Sequence, residues 1–178
     1  MNSSYLNKID YSEIIKTICF IKNPKKIVEF GILDGFSLKS FVDNTNNCQI
    51  EAYDIFDEFI GNSASFEVIS KFSKYKNIKI EYGDFYKKVD DFEDNSIDIL
   101  HIDIANNANV YKFAIAYYLP KVKKNGIILL EGGSNERDQV EWMTKYKKPL
   151  INPYLNHFKN LKHIVIGKMP SMTIINKN

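Results

Sequence analysis

The chain is short of the residues that would mark several common protein classes. Its 178 residues include two cysteines, Cys19 and Cys48, which form no C-x-x-C pair and lack metal-ligand spacing. That excludes a disulfide-stapled scaffold and a cysteine-held zinc site, and it points to a reduced, cytoplasmic protein. Lysine and arginine number 24 against 22 acidic residues, a net charge of +2 with no long block of one sign. Neither a nucleic-acid partner nor a membrane partner is expected from that balance. No apolar run approaches the length of a membrane span, and "MNSSYLNKIDYSE" has no basic start followed by an apolar core, so no signal peptide is expected. Eight glycines and five prolines are scattered, with no linker, repeat or low-complexity tract. Residues 1–178 are therefore expected to form one domain, long enough to bury about 70% of the surface its unfolded form would expose.

What is present alternates. "YSEIIKTICFI" has helical apolar spacing and runs into a turn at Asn23-Pro24. "KIVEFG" reads as a buried strand, and "SLKSFVDNT" as a helix capped by Ser37. Strand "QIEAYD", helix "SASFEVISKFSKY", strand "NIKIEYGD" and strand "SIDILHID" follow. A long helix, "NVYKFAIAYYLPKV", should end or kink at Pro120. Strand "NGIILLEGG", helix "ERDQVEWMTKY" and a short helix "NPYLNHFKN" come next, and "KHIVIG", "KMPS" and "MTIINK" read as a closing hairpin. The expected fold is α/β, a Rossmann-like doubly wound sheet of seven strands. It is mostly parallel, with one antiparallel strand added by the C-terminal hairpin.

In such a sheet, ligands sit beyond the carboxyl ends of the strands. Each of the first five strands carries a carboxylate at or near that end: Glu29, Asp54, Asp84, Asp103 and Glu131. Acids gathered on one edge suit a hydroxylated or cationic ligand, or a metal. Gly31 and Gly35 permit a tight strand-to-helix turn with close backbone approach. A dinucleotide loop reads G-x-G-x-x-G, yet here Leu33 stands in a glycine position and Asp34 would face the phosphates. That argues against a nicotinamide cofactor and for a ligand without pyrophosphate. Asp54 lies a little over twenty residues beyond Gly31, the spacing at which a carboxylate meets ribose hydroxyls. Asp84 has the chemistry to accept from an exocyclic adenine amine, and Phe85 to pack on the base.

Taken in order, "VEFGILDGFS", "AYDIFD", "YGDFY", "SIDILHIDIANN" and "LPKVKKNGIILLEGG" resemble class I S-adenosylmethionine-dependent methyltransferases, from about Lys25 to the terminus. The terminal hairpin is that family's hallmark, and "HIDIANNANVY" with "NGIILLEGG" is similar to its small O-methyltransferase branch. The resemblance implies S-adenosylmethionine (SAM) as methyl donor and S-adenosylhomocysteine (SAH) as product. It implies that Glu29, Gly31, Gly35 and Ser37 hold the methionine part, Asp54 the ribose, and Asp84 with Phe85 the adenine, with Asp103 lining the same site. In that branch a histidine follows "HID" and paired aspartates follow the fifth strand. Here Asn106 and Asn107, and Glu131-Gly132, stand there. In metal-using relatives Asp103 and those aspartates hold a divalent cation. With the pair altered, a metal is admissible but not expected.

Methyl transfer to a hydroxyl needs alignment and removal of a proton. Asp103 is the candidate base, with Glu131 beside it and His101 facing the same side of its strand. The acceptor is expected to be a small molecule, most simply a hydroxyl of a sugar or similar metabolite. The alternatives are N-methylation of a small amine and a diverged SAM-binding protein without transfer. The acceptor pocket is expected from the N-terminal helical segment (residues 1–24, with Tyr5 and Tyr11) and from the loop "EGGSNERDQVEW". That loop offers Ser134, Asn135, Glu136 and Arg137 to hydroxyls or an anionic group. His157 is a candidate to fold over the site, His163 reads as structural, and Trp142 as a core residue or a sugar platform. A homodimer that completes the pocket is admitted by the size of the domain but demanded by no residue.

Overall fold

The computed structural model describes residues 10–58, 66–158 and 160–178. Tyr5 and the start of the expected "SASFEVISKFSKY" helix lie outside the described residues.

Helix α1 (Tyr11–Lys22) opens where the Asp10 carboxylate accepts from the Ser12 amide and closes on Asn23 in the left-handed region. It turns Ile15, Ile18 and Cys19 inward. Strand β1 (Lys26–Phe30) leads through a tight loop into α2 (Phe36–Asp43). There follow β2 (Gln49–Asp54), α3 (Phe66–Phe72), β3 (Ile78–Tyr82), β4 (Ile97–Ile102) and α4 (Ala108–Phe113). The chain continues with β5 (Val122–Glu131), two short helices α5 (Asn135–Asp138) and α6 (Glu141–Lys145), α7 (Ile151–Asn156), β6 (His163–Gly167) and β7 (Ser171–Asn176).

The seven strands form one sheet in the order β3-β2-β1-β4-β5-β7-β6. Pairings from β3 to β5 are parallel, and β7 enters antiparallel between β5 and β6. The expected doubly wound sheet and closing hairpin are thus present, with the switch in strand order between β1 and β4. Side chains alternate between faces along each strand, so the core is split in two. On one face Ile27, Ile50, Ile99 and Leu129 pack under Ile15, Leu38 and Phe41 of α1 and α2. On the other, Phe30, Ile102 and Leu130 pack with Phe85, Phe92, Tyr111 and Tyr118.

Three local expectations are corrected. Helix α2 begins at Phe36 behind Gly35, without a side-chain cap, because the Ser37 hydroxyl is spent on Glu29. The long helix after β4 stays α-helical only to Phe113 and widens to a π-turn over Ala114–Tyr118. That widening seats Tyr118 in the aromatic cluster, where its hydroxyl donates to the Phe85 carbonyl at 2.7 Å. The "ERDQVEWMTKY" helix breaks at Gln139 and Val140, so that Asp138 can accept from the Ile151 and Asn152 amides that open α7.

Candidate functional site

The carboxyl ends of β1, β4 and β5 lie side by side. In register, Glu29 is opposite His101 and Phe30 opposite Ile102, which in turn is opposite Leu130. Period-two alternation therefore places Glu29, His101, Asp103 and Glu131 on the face covered by α1 and α2.

The β1–α2 loop is the tightest part of this edge. Gly31 adopts φ +89° and donates its amide to the Tyr53 carbonyl. A Cβ at Gly31 would lie 1.9 Å from the Asp103 carbonyl oxygen. The close approach expected of Gly31 is thus an approach to β4 itself. Gly35, also at positive φ, is pressed instead by the Phe72 ring, which a Cβ would meet at 2.7 Å.

Glu29 is wholly buried. Its Oε1 accepts from the Ser37 hydroxyl, and His101 Nδ1 lies 2.9 Å from the same oxygen, while Oε2 has no partner among the described residues. Three of the predicted residues therefore form one contact network. Burial alone would lower the His101 pKa, but the hydrogen bond and charge of Glu29 outweigh it, and Asp103 and Glu131 add to the rise. Asp103 is exposed, at the end of β4 between β1 and β5. Loss of water at its enclosed side raises its pKa, Glu29 adds repulsion, and His101 and Arg137 oppose the shift. Its exposure means that solvent tempers that displacement.

Asp54 and Asp84 stand apart from this charge network. Asp54 Oδ2 accepts from the Ile32 amide and Oδ1 from the Phe56 amide, each at 2.7 Å. The end of β2 is thereby tied to the β1–α2 loop at the switch point of the sheet. Asp84 is half-buried and accepts from the Tyr86 amide at 2.9 Å. Phe85, expected on the adenine, is in the core, stacked on Tyr118 at 4.9 Å and edge-on to Phe30 at 5.4 Å. Its ring presents no free face, because the turn that exposes Asp84 points the next side chain inward.

The loop after β5 departs furthest from expectation. Ser134 and Arg137 are buried rather than offered to a substrate. Ser134 Oγ donates to the Lys168 carbonyl and accepts from the Arg137 amide. Arg137 Nε and Nη2 both donate to Glu131, Nη2 also reaches the Asn106 carbonyl at 3.4 Å, and Nη1 is buried without a partner. The guanidinium lies over the half-buried Trp142 ring at 5.2 Å. Burial pushes the Glu131 pKa up and Arg137 opposes it; a two-point contact with a guanidinium is the geometry of an ionised carboxylate. Asn106, absent from the candidates, staples the ends of β4 and β5 by donating to the Ile102 and Glu131 carbonyls. Its only signal in the sequence was its place after "HIDIA".

Tyr11 does reach this edge. Its hydroxyl donates to the Pro170 carbonyl at 2.6 Å, and burial followed by the Glu131 charge raises its pKa. His157 is exposed and bonded to Pro153 within its own helix, and His163 is bonded to the Leu161 carbonyl.

Comparison with known proteins follows the same lines. No curated protein matches the sequence. Among solved structures, the chain is similar to the SAH-bound methyltransferase PaMTH1 of Podospora anserina, with TM-score 0.70 and 16% identity over 100% of this chain and 80% of that one. It is also similar to an O-methyltransferase of Bacillus cereus in complex with SAH, with TM-score 0.68 and 10% identity over 98% and 84%. The O-methyltransferase TomG of Streptomyces achromogenes, in complex with SAM, gives TM-score 0.67 and 9% identity over 96% and 82%. At these identities the likeness is one of fold. The sequence model of the methyltransferase-domain family, however, matches residues 28–131, more than half of the chain, and carries it from the β1 strand to Glu131: the chain belongs to that family.

Proposed function

We propose that this protein transfers a methyl group from SAM to a hydroxyl of a small-molecule acceptor, a sugar or similar metabolite. One observation carries the donor assignment. Asp54 and the β1–α2 loop are bonded to each other at the switch point of the sheet, and the buried Glu29 beneath that loop keeps one carboxylate oxygen without a partner among the described residues. An orphaned carboxylate oxygen suits a ligand with a positive centre and opposes a pyrophosphate. The residues present therefore fit SAM, with Glu29, Gly31, Gly35 and Ser37 toward its methionine end, Asp54 toward its ribose and Asp84 toward its base. Phe85 is not proposed as a contact.

When bound, SAM supplies a methyl group already activated on a sulfonium. The chain's own part is alignment, which contributes on the order of 7–11 kcal/mol in well-oriented reactions. Asp103 is the group placed to take the acceptor's proton, since of Glu29, Asp103 and Glu131 it is the exposed residue and, among the described residues, the one with no cation bonded to it. Glu131 is bound to Arg137 and His101 to Glu29, so both act by positioning. The N-terminal segment, through Tyr11, and the β6–β7 turn border the acceptor side of one domain spanning residues 1–178. No described helix is long and apolar enough to cross a membrane; a cytoplasmic location remains part of the proposal, as does an acceptor that is not a nucleic acid.

Thermal shift against SAM, SAH and nicotinamide dinucleotide tests the donor. Saturation at a hundredfold over Kd is worth roughly 2.7 kcal/mol. Stabilisation by the dinucleotide alone would overturn the assignment. Release of SAH across panels of hydroxylated and amine acceptors then separates O-transfer from N-transfer and from SAM binding without turnover. Asp54→Ala is expected to abolish stabilisation by SAM, and Asp103→Ala to preserve it while reducing turnover.

A further inference from the structure

Three carboxylates, Glu29, Asp103 and Glu131, end adjacent strands on one face, and adjacent strands lie about 4.8 Å apart. Acids that close repel one another unless positive charge stands among them. Here the positive charge is built in. His101 meets Glu29, and Arg137 meets both oxygens of Glu131. Arg137 is 5% exposed and sandwiched between Glu131 and the Trp142 ring. The divalent cation held here by metal-using relatives does not fit these residues. Both Glu131 oxygens are engaged by the guanidinium, a buried cation already occupies the space beside them, and Gly132 brings no side chain. Among the described residues no group of three or more acids, histidines or cysteines is arranged to hold a metal.

We propose that Arg137 is the resident counter-ion of the acceptor edge, a positioning residue that fixes Glu131 beside Asp103 in the place and role of a divalent cation. The guanidinium screens the two acids from each other, holds the end of β5 to the α5 loop, and leaves Asp103 as the one carboxylate open to an acceptor. Removing it leaves two neighbouring carboxylates without their counter-ion, oxygen donors of the kind a hard cation takes. Only the consequence for methyl transfer, that turnover needs no added metal, rests on the function proposed above.

The test is Mn2+ titration of the full chain, read by the electron paramagnetic resonance signal of the free ion, for the wild type, Arg137→Gln and the double variant Glu131→Gln/Arg137→Gln. Arg137→Gln is expected to bind Mn2+ at least about tenfold more tightly than the wild type, and the double variant to lose that gain. A wild type that binds Mn2+ as tightly as Arg137→Gln overturns the proposal, as does a gain that persists in the double variant. Urea midpoints give a second reading that needs no metal. The single variant should be the least stable of the three, and the double variant should recover part of the loss. Equal loss in both, or failure of both to fold, overturns the counter-ion role. Thermal shift with SAM is run on the wild type in parallel, so a protein that binds no SAM refutes the proposed function and leaves the Mn2+ comparison standing.

Discussion

The acids at the two sides of the site are held in different ways. At the nucleoside end, Asp54 and Asp84 accept from backbone amides of Ile32, Phe56 and Tyr86, and the exposed Lys87 ammonium lies 3.4 Å from Asp84. Toward the methyl group and the acceptor, Glu29 and Glu131 are held by ionisable side chains, His101 and Arg137. Backbone amides are fixed by the turn that follows each strand, so any sequence that makes the turn supplies them. Side-chain cations come from elsewhere in the chain and can be gained or lost singly. The nucleoside end thus rests chiefly on the turns of the fold, whereas the methyl and acceptor end rests on buried side chains particular to this sequence.

Gly31 is where the two sides meet, and its substitution is expected to have the largest effect. Gly31→Ala combines a left-handed backbone with a Cβ set against the Asp103 carbonyl. Strain and overpacking together are expected to cost about 4 kcal/mol. Urea denaturation should show that loss together with a loss of SAM stabilisation. A variant of near-normal stability that still binds SAM would mean that the loop and β4 move independently.

A milder change separates core from site. Phe85→Leu removes a ring stacked on Tyr118 and is expected to cost about 1–2 kcal/mol, with SAM affinity retained. Affinity lost without loss of stability would return Phe85 to the donor site.

Most of the fold was legible because its signals are local. Short apolar runs in "KIVEFG" and "SIDILHID", and the Gly83-Asp84 and Gly132-Gly133 turns, each mark a strand or its end without reference to the rest of the chain. Strand-end acids follow from the same reading, and the structure places all five at the carboxyl edge. What was not legible depends on contacts between distant segments. Ser37 reads as a cap, but its hydroxyl is bonded to Glu29, and Phe85 follows a half-buried aspartate yet turns into a cluster built by Phe30 and Tyr118. Arg137 stood in a polar loop that suggested a substrate contact. Its inward turn is decided by the break at Val140 and by the Ser134 bonds, neither of which has a periodic signature.

The smallest effect expected is a slope, and it isolates the buried pair that links the two sides. Burial works against a charged His101, but the Glu29 hydrogen bond and charge prevail, so its folded pKa lies above the ordinary value of about 6.5. The folded protein then holds that proton more tightly than the unfolded chain. Its stabilisation is complete below about pH 6.5 and is lost as the pH rises through the raised value. Asp103 and Glu131, also raised by burial, act with the same sign but from the carboxylate range upward, at lower pH. Replacing His101 with glutamine, which can still donate to Glu29, removes the first contribution and leaves the second. Urea midpoints measured across the neutral and alkaline range should therefore fall with pH for the wild type and stay flatter for His101→Gln. Parallel slopes would show that His101 and Glu29 are joined by a neutral hydrogen bond, which would leave Arg137 as the sole counter-ion on this edge.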